Sequence, residues 1–188
     1  MKILLPILVS ELAAGRAVAL ATVVQSTGSV PRGAGACMLI TTDGVASGTV
    51  GGGVLEHRAE TELKAMLAAA STEAATEPEH GSPLEPTVFA CAALPSRLES
   101  YALTQNEMQS LGMVCGGHVA LLYQLLTPAM LPFFEAMQAY AQTSEENLWL
   151  LRHVAGGHVT ELALLRGEAA SHPADTLCGR LAVWRAGE

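Results

Sequence analysis

Cysteine is sparse in this 188-residue chain, and its four copies, Cys37, Cys91, Cys115 and Cys178, form no CxxC pair. That absence removes the spacing a zinc knuckle needs. Positive charge is scarce too: 10 Lys and Arg stand against 18 Asp and Glu, a formal net charge of −8. Nothing forms the basic stripe of a nucleic-acid-binding face, although a local amide nest with one arginine can still attract a small anion. No apolar run is long enough to span a bilayer. Residues 1–9 are apolar but short, contain Pro6, and lack a small-residue cleavage site, so no signal peptide is read there. Scattered thiols without a leader point to a reducing cytoplasm. No internal repeat has a clear period; the GGH triplets at 116–118 and 156–158 are too short to count. Half the residues are hydrophobic and only 15% are charged, which fits one globular domain with a sizeable core.

Around one stretch the rest is arranged, residues 28–56, GSVPRGAGACMLITTDGVASGTVGGGVLE. It opens with a Gly/Pro/Arg loop. Two β-type runs follow, 37–42 and 45–50, joined by Asp43-Gly44, a strong hairpin signal. Gly51, Gly52 and Gly53 then lead into a helical pattern. A tight strand-to-helix turn needs one special φ or two, so three glycines ask for more explanation. A glycine nest at a helix N-terminus is a ready anion site, because amides point outward and no Cβ blocks close approach. The hairpin is expected to bring Arg32 near the nest, where a guanidinium can pair with phosphate. The plain alternative is a solvated loop arginine. Glu56, in the first helical turn, most simply complements the helix dipole; its carboxylate also suits a paired N–H donor edge.

In chain order, 5–15 reads as a helix and 17–24 as a strand buried on both faces. The clearest helix is 54–70, with Leu55, Ala59, Leu63, Met66 and Leu67 on one face. Residues 71–86 read as a solvated loop or insertion. Strands are expected at 87–93 and 97–103, the second without a clean inward face. Met113–His118 is a second glycine turn, joined to the strand 119–126, and 128–142 is helical. The part from 143 to 188 is β-rich, with a hairpin of 148–154 and 159–165 and a last strand at 180–185. The pattern predicts a single α/β (or α+β) domain, a mixed β-sheet with flanking helices, over residues 1–188.

Three motifs, GSVPRGAGACMLIT, GTVGGGVLE and MVCGGHVALLYQLL, together resemble the N-terminal domain of the XdhC/CoxI family, accessory factors of molybdenum hydroxylases such as xanthine dehydrogenase and carbon monoxide dehydrogenase. They fall in the family's order and cover roughly the first two-thirds of the chain. The resemblance implies binding of the molybdenum cofactor (molybdopterin, in a mono- or dinucleotide form), support for its sulfuration, and delivery to an apo-enzyme. It implies as partner a molybdenum hydroxylase client, with a sulfur donor protein and a separate Rossmann-domain polypeptide as further candidates. It points to a carrier and maturation factor, not a turnover enzyme. Two departures stand out. Relatives usually carry cysteine after the glycine triplet; here the residue is Val54. Many relatives continue into a Rossmann-type domain with a GxGxxG turn, and no such turn is read up to Glu188.

The candidate cofactor-binding residues are Arg32, Gly51, Gly52, Gly53, Glu56, Cys115, Gly116 and Gly117. Cys37 and Cys91 lie in apolar runs and read as small buried residues. Cys115 precedes two glycines, whose amides favour an accessible thiolate, and a soft thiolate suits molybdenum or a transferable sulfur, so Cys115 is also the candidate metal ligand. His57 and His118 read as neighbours of the site or surface residues. Two rival readings stay open: a nucleotide- or pterin-acting enzyme with Cys115 as nucleophile, and a ligand-free interaction domain for a molybdoenzyme. The apolar composition is compatible with a homodimer.

Overall fold

A computed structural model describes residues 1, 3–72, 88–103, 117–143, 148–155, 158–166 and 180–185. The first helix, α1 (Leu5–Ala13), carries Pro6 in its first turn, where a missing N–H costs nothing. It ends in a Schellman arrangement. Gly15, at φ +76°, gives its amide to Leu12 O, and the amide of Arg16 reaches Glu11 O. The Arg16 side chain clamps the Glu11 carboxylate with two 2.7 Å hydrogen bonds.

Then come β1 (Val18–Gly28), β2 (Cys37–Thr41), β3 (Ala46–Gly48), α2 (Gly53–Thr72), β4 (Val88–Leu94), β5 (Ser96–Leu103) and β6 (Gly117–Leu126). A 3-10 turn (Pro128–Met130) leads into α3 (Leu131–Thr143), and β7 (Leu148–Ala155), β8 (His158–Arg166) and β9 (Arg180–Arg185) follow. The strands form a five-stranded sheet, β3-β2-β1-β6-β5, and a four-stranded sheet, β4-β8-β7-β9. Every ladder among the described residues is antiparallel. The fold is therefore α+β, the second of the two classes expected, and the sheet is antiparallel where a mixed one was expected. Residues 73–87, most of the expected loop or insertion, lie outside the described residues.

Both faces of the five-stranded sheet are covered. Ala19, Ala21 and Val23 face α2, against Leu55, Ala59 and Leu63. Their small size lets the helix lie close. Val18, Leu20, Cys37 and Leu39 face the other way, into a core shared with α1, α3 and the inner residues Leu148, Leu150, Leu162 and Leu164 of the second sheet. This double cover explains the unbroken apolar run of β1. Only Pro95 separates β4 from β5, so the chain passes from one sheet to the other at that residue. Proline donates no ladder bond, but its carbonyl still accepts the Leu125 amide at 2.8 Å. Beside it the Val159 amide donates to Ser96 Oγ at 2.6 Å.

Candidate functional site

The site lies at one end of the five-stranded sheet, where the ladder registers collect three turns. Thr22 pairs with Cys37 while β1 runs on to Gly28, so β2 begins and β3 ends at that same end. Gly28 pairs with Gly117, the first residue of β6. The loop 29–36, the triplet 51–53 and the entry to β6 are therefore neighbours. Two close approaches bear this out. A Cβ on Gly51 would lie 3.4 Å from Pro31 Cβ. One on Gly117 would meet Thr27 O at 2.5 Å and Ser29 O at 2.9 Å. Gly117 is thus required by backbone packing against the first loop, whatever else it does.

Sequence explains how the triplet is placed. Gly48 has φ +83°, and a Cβ there would sit 2.3 Å from Cys37 O, so only glycine lets the short strand β3 end this way. Val50 is buried under α2. Gly51, Gly52 and Gly53 then follow at φ +137°, +79° and +60°, three conformations that side-chain-bearing residues rarely adopt. The helix begins at Gly53, one residue before the expected Val54.

The nest is partly filled by the chain itself. Glu56 Oε2 accepts the Gly52 amide at 3.0 Å and the Thr49 hydroxyl. Thr49 Oγ1 in turn accepts the Gly51 amide at 3.1 Å. Glu56 is thus a helix cap reaching back across the triplet, beyond the dipole role read from sequence. Thr49 was not singled out from sequence. The signal was faint, a hydroxyl residue before the glycines and an acid after them. Helix geometry leaves the amides of Gly53, Val54 and Leu55 without a carbonyl one turn back. Around Gly52 no heavy atom lies within 4 Å of where a Cβ would stand. The triplet is open on that side.

Arg32 follows Pro31 and is exposed, with no ion pair among the described residues. His57 and His118 are exposed as well. Cys115 and Gly116 lie outside the described residues. Among those described, no three His, Cys, Asp or Glu side chains group to hold a metal. Cys37 is buried, as expected, and its thiol donates to Gly35 O at 3.2 Å. Flanking the site on the α2 face, the Tyr101 and Tyr123 hydroxyls meet at 2.8 Å, Tyr101 also reaches Glu99, and burial pushes the Tyr123 phenol up to about 12. Both phenols are therefore neutral hydrogen-bonding groups at ordinary pH.

Residues 11–77, which contain the loop and the triplet, match the model of the XdhC and CoxI family. No curated protein sequence is significantly similar. Among solved structures, a xanthine dehydrogenase from Bacillus halodurans has the same fold, with a TM-score of 0.60 at 18% identity. The likeness covers 95% of this chain and 51% of that one, so this chain spans about half the length of its structural relative. No helix among the described residues is long and apolar enough to cross a membrane.

Proposed function

We propose that this chain is a molybdoenzyme accessory protein of the XdhC/CoxI type that binds the molybdenum cofactor and supports its sulfuration and insertion into a molybdenum hydroxylase. The observation that carries the reading is the convergence of the three motif segments at one sheet end. A ligand long enough to bear both a phosphate and a metal-bound pterin needs such a composite surface.

The chain's residues fit the phosphate end. Gly53, Val54 and Leu55 offer helix-terminal amides beside the open flank of Gly52, and Arg32 offers a guanidinium one residue from the Pro31–Gly51 contact. In this reading Glu56 and Thr49 do not touch the phosphate; they hold the triplet in shape. The molybdenum end is assigned to Cys115 and Gly116, next to Gly117, whose own flank is taken up by the first loop. The cofactor supplies oxygen-transfer redox chemistry to the client enzyme, and this chain's part is to bind it and keep water away until delivery. Turnover is not required of it.

Anaerobic reconstitution with the cofactor tests the proposal. Protein recovered by gel filtration and then denatured should release the fluorescence of an oxidised pterin. Its absence would leave the ligand-free interaction domain as the better account. Turnover of a free nucleotide would favour an enzyme with Cys115 as nucleophile.

A further inference from the structure

Away from the motif cluster, one polar side chain lies in the core without a partner. Gln124 of β6 is 1% exposed, and neither Nε2 nor Oε1 of its carboxamide has a hydrogen-bond partner among the described residues. Burying an amide unpaired is unfavourable, so buried carboxamides are normally met by a chain group or by water.

Ladder register says where this carboxamide lies. Gln124 pairs with Leu20 of β1 and with Ser96 of β5, and residues directly opposite on neighbouring strands share a sheet face. Leu20 faces the core between the two sheets, so Gln124 and Ser96 face it too. The Leu125 amide donates to Pro95 O, which makes Pro95–Leu125 a hydrogen-bonded position and Ser96–Gln124 the closer position beside it. There the Cβ atoms stand about 4.5–5.5 Å apart. A carboxamide and a serine hydroxyl at that spacing are within reach of one bridging water.

The second sheet brings further polar groups to the same place. Ser96 Oγ accepts the Val159 amide at 2.6 Å. Val159 also marks a double irregularity in β8. Both strands beside β8 pair with Val159, through Leu94 and Val154, and with Glu161, through Ala90 and His153. Thr160 is passed over by both ladders. A bulged residue leaves main-chain groups outside the ladder, and these lie one residue from the amide that Ser96 receives.

We propose that Gln124, Ser96 and the bulge of β8 hold buried water between the two sheets, at the point where the chain passes from one to the other. Gln124 Nε2 donates to it and Oε1 accepts from it. Ser96 Oγ and the main chain of the bulge complete its two to four polar contacts.

A high-resolution crystal structure of the full chain should show water within about 2.7–3.2 Å of the Gln124 carboxamide and of Ser96 Oγ. In solution, the Gln124 carboxamide protons of isotope-labelled protein should give water cross-peaks of opposite sign in NOE and ROE spectra, the mark of a long-held molecule. Gln124→Met keeps the shape and removes the carboxamide. With water held there it should lower the melting temperature by about 2–4 °C, because the water loses its anchor; an unpaired carboxamide would give a rise. Ser96→Ala should weaken the Gln124 water cross-peak, which a serine that only caps the Val159 amide would leave unchanged. Should either variant fail to fold, the crystal and the wild-type cross-peak still decide. A dry carboxamide, or one whose atoms meet chain groups instead, would overturn the proposal, and so would a higher melting temperature in Gln124→Met.

Discussion

Pro31 lies against Gly51, with 3.4 Å separating its Cβ from the place a Cβ would take on the glycine. The contact ties the arginine loop to the glycine triplet and makes the two segments one surface. Gly51→Ala should be destabilising by about 1–3 kcal/mol, because φ +137° is a glycine conformation before any contact is considered. Gly52→Ala should cost less, about 1–2 kcal/mol, since its φ of +79° is strained for alanine but the space is open. Urea unfolding of both variants checks the order.

Gly117→Ala tests the other joint. Its Cβ would press on two backbone carbonyls and come within 2.8 Å of Val30 Cγ1. The carbonyls cannot give way without moving β1, so a loss of about 1–3 kcal/mol or more is expected. Stability equal to wild type would show that the loop 29–36 is not held against β6.

The Thr49–Glu56 pair predicts non-additivity. Glu56→Ala leaves the Gly52 amide and the Thr49 hydroxyl without their shared acceptor, at about 1–2 kcal/mol. Thr49→Val should cost a similar amount. The double variant should lose less than the two single losses added, because both remove parts of one network. Full additivity in a denaturant cycle would mean that the two side chains act separately.

Arg32→Ala addresses ligand against fold. The side chain is exposed, so stability should stay within about 0.5 kcal/mol of wild type. If Arg32 meets the cofactor phosphate, binding should weaken by about 1.5–3 kcal/mol, read as cofactor retained on gel filtration. Cys115→Ser should lower cofactor loading or client activation more than serine variants of the other three cysteines. Equal loading would place Arg32 in solvent and make the thiol structural.

Acid sensitivity has one predicted contributor at α1. The hydrogen bonds from Arg16 hold the Glu11 carboxyl below its ordinary value of 4.5. A depressed folded-state pKa gives stability above the unfolded value, lost as pH falls through the folded one. Arg16 is 42% exposed on its side chain, so screening keeps the contribution below about 1 kcal/mol. Glu11→Gln should therefore be slightly less stable than wild type at neutral pH, and the gap should close as pH falls below the ordinary value of 4.5 and through the depressed folded-state pKa. A gap that persists unchanged in acid would trace to packing instead.

Much of this architecture was legible in the residues. The run of β1 reads as doubly covered because it is, and the apolar period of α2 and the Asp43-Gly44 turn placed their elements within a few residues. The approach of Arg32 to the triplet was an expectation, and that of the turn before β6 was not read at all, since ladder register decides it, and register depends on pairings remote in sequence. β5 offered no clean inward face for a physical reason. Its Arg97, Glu99 and Tyr101 are satisfied by one another, by Glu62 of α2 and by Tyr123, so polar residues stand where apolar ones would mark a core. Arg152 was invisible for a related reason. A lone arginine in a strand normally reads as a solvated side chain, and only the packing of its sheet against the first one makes it buried.

The passage of the chain from one sheet to the other at Pro95 has a consequence for how the chain can be divided. α1 and the 3-10 turn meet Leu148, Leu150 and Leu162 in the same core, and β4 hands the chain to β5 with one residue between. A fragment ending near residue 143 would keep all five strands of the first sheet yet uncover Leu5, Leu8 and Leu20 to water. Such a fragment should be sticky and loosely ordered, whereas the whole chain should melt in a single cooperative step. The region that matches the family is thus a stretch of sequence and not a separable folding unit.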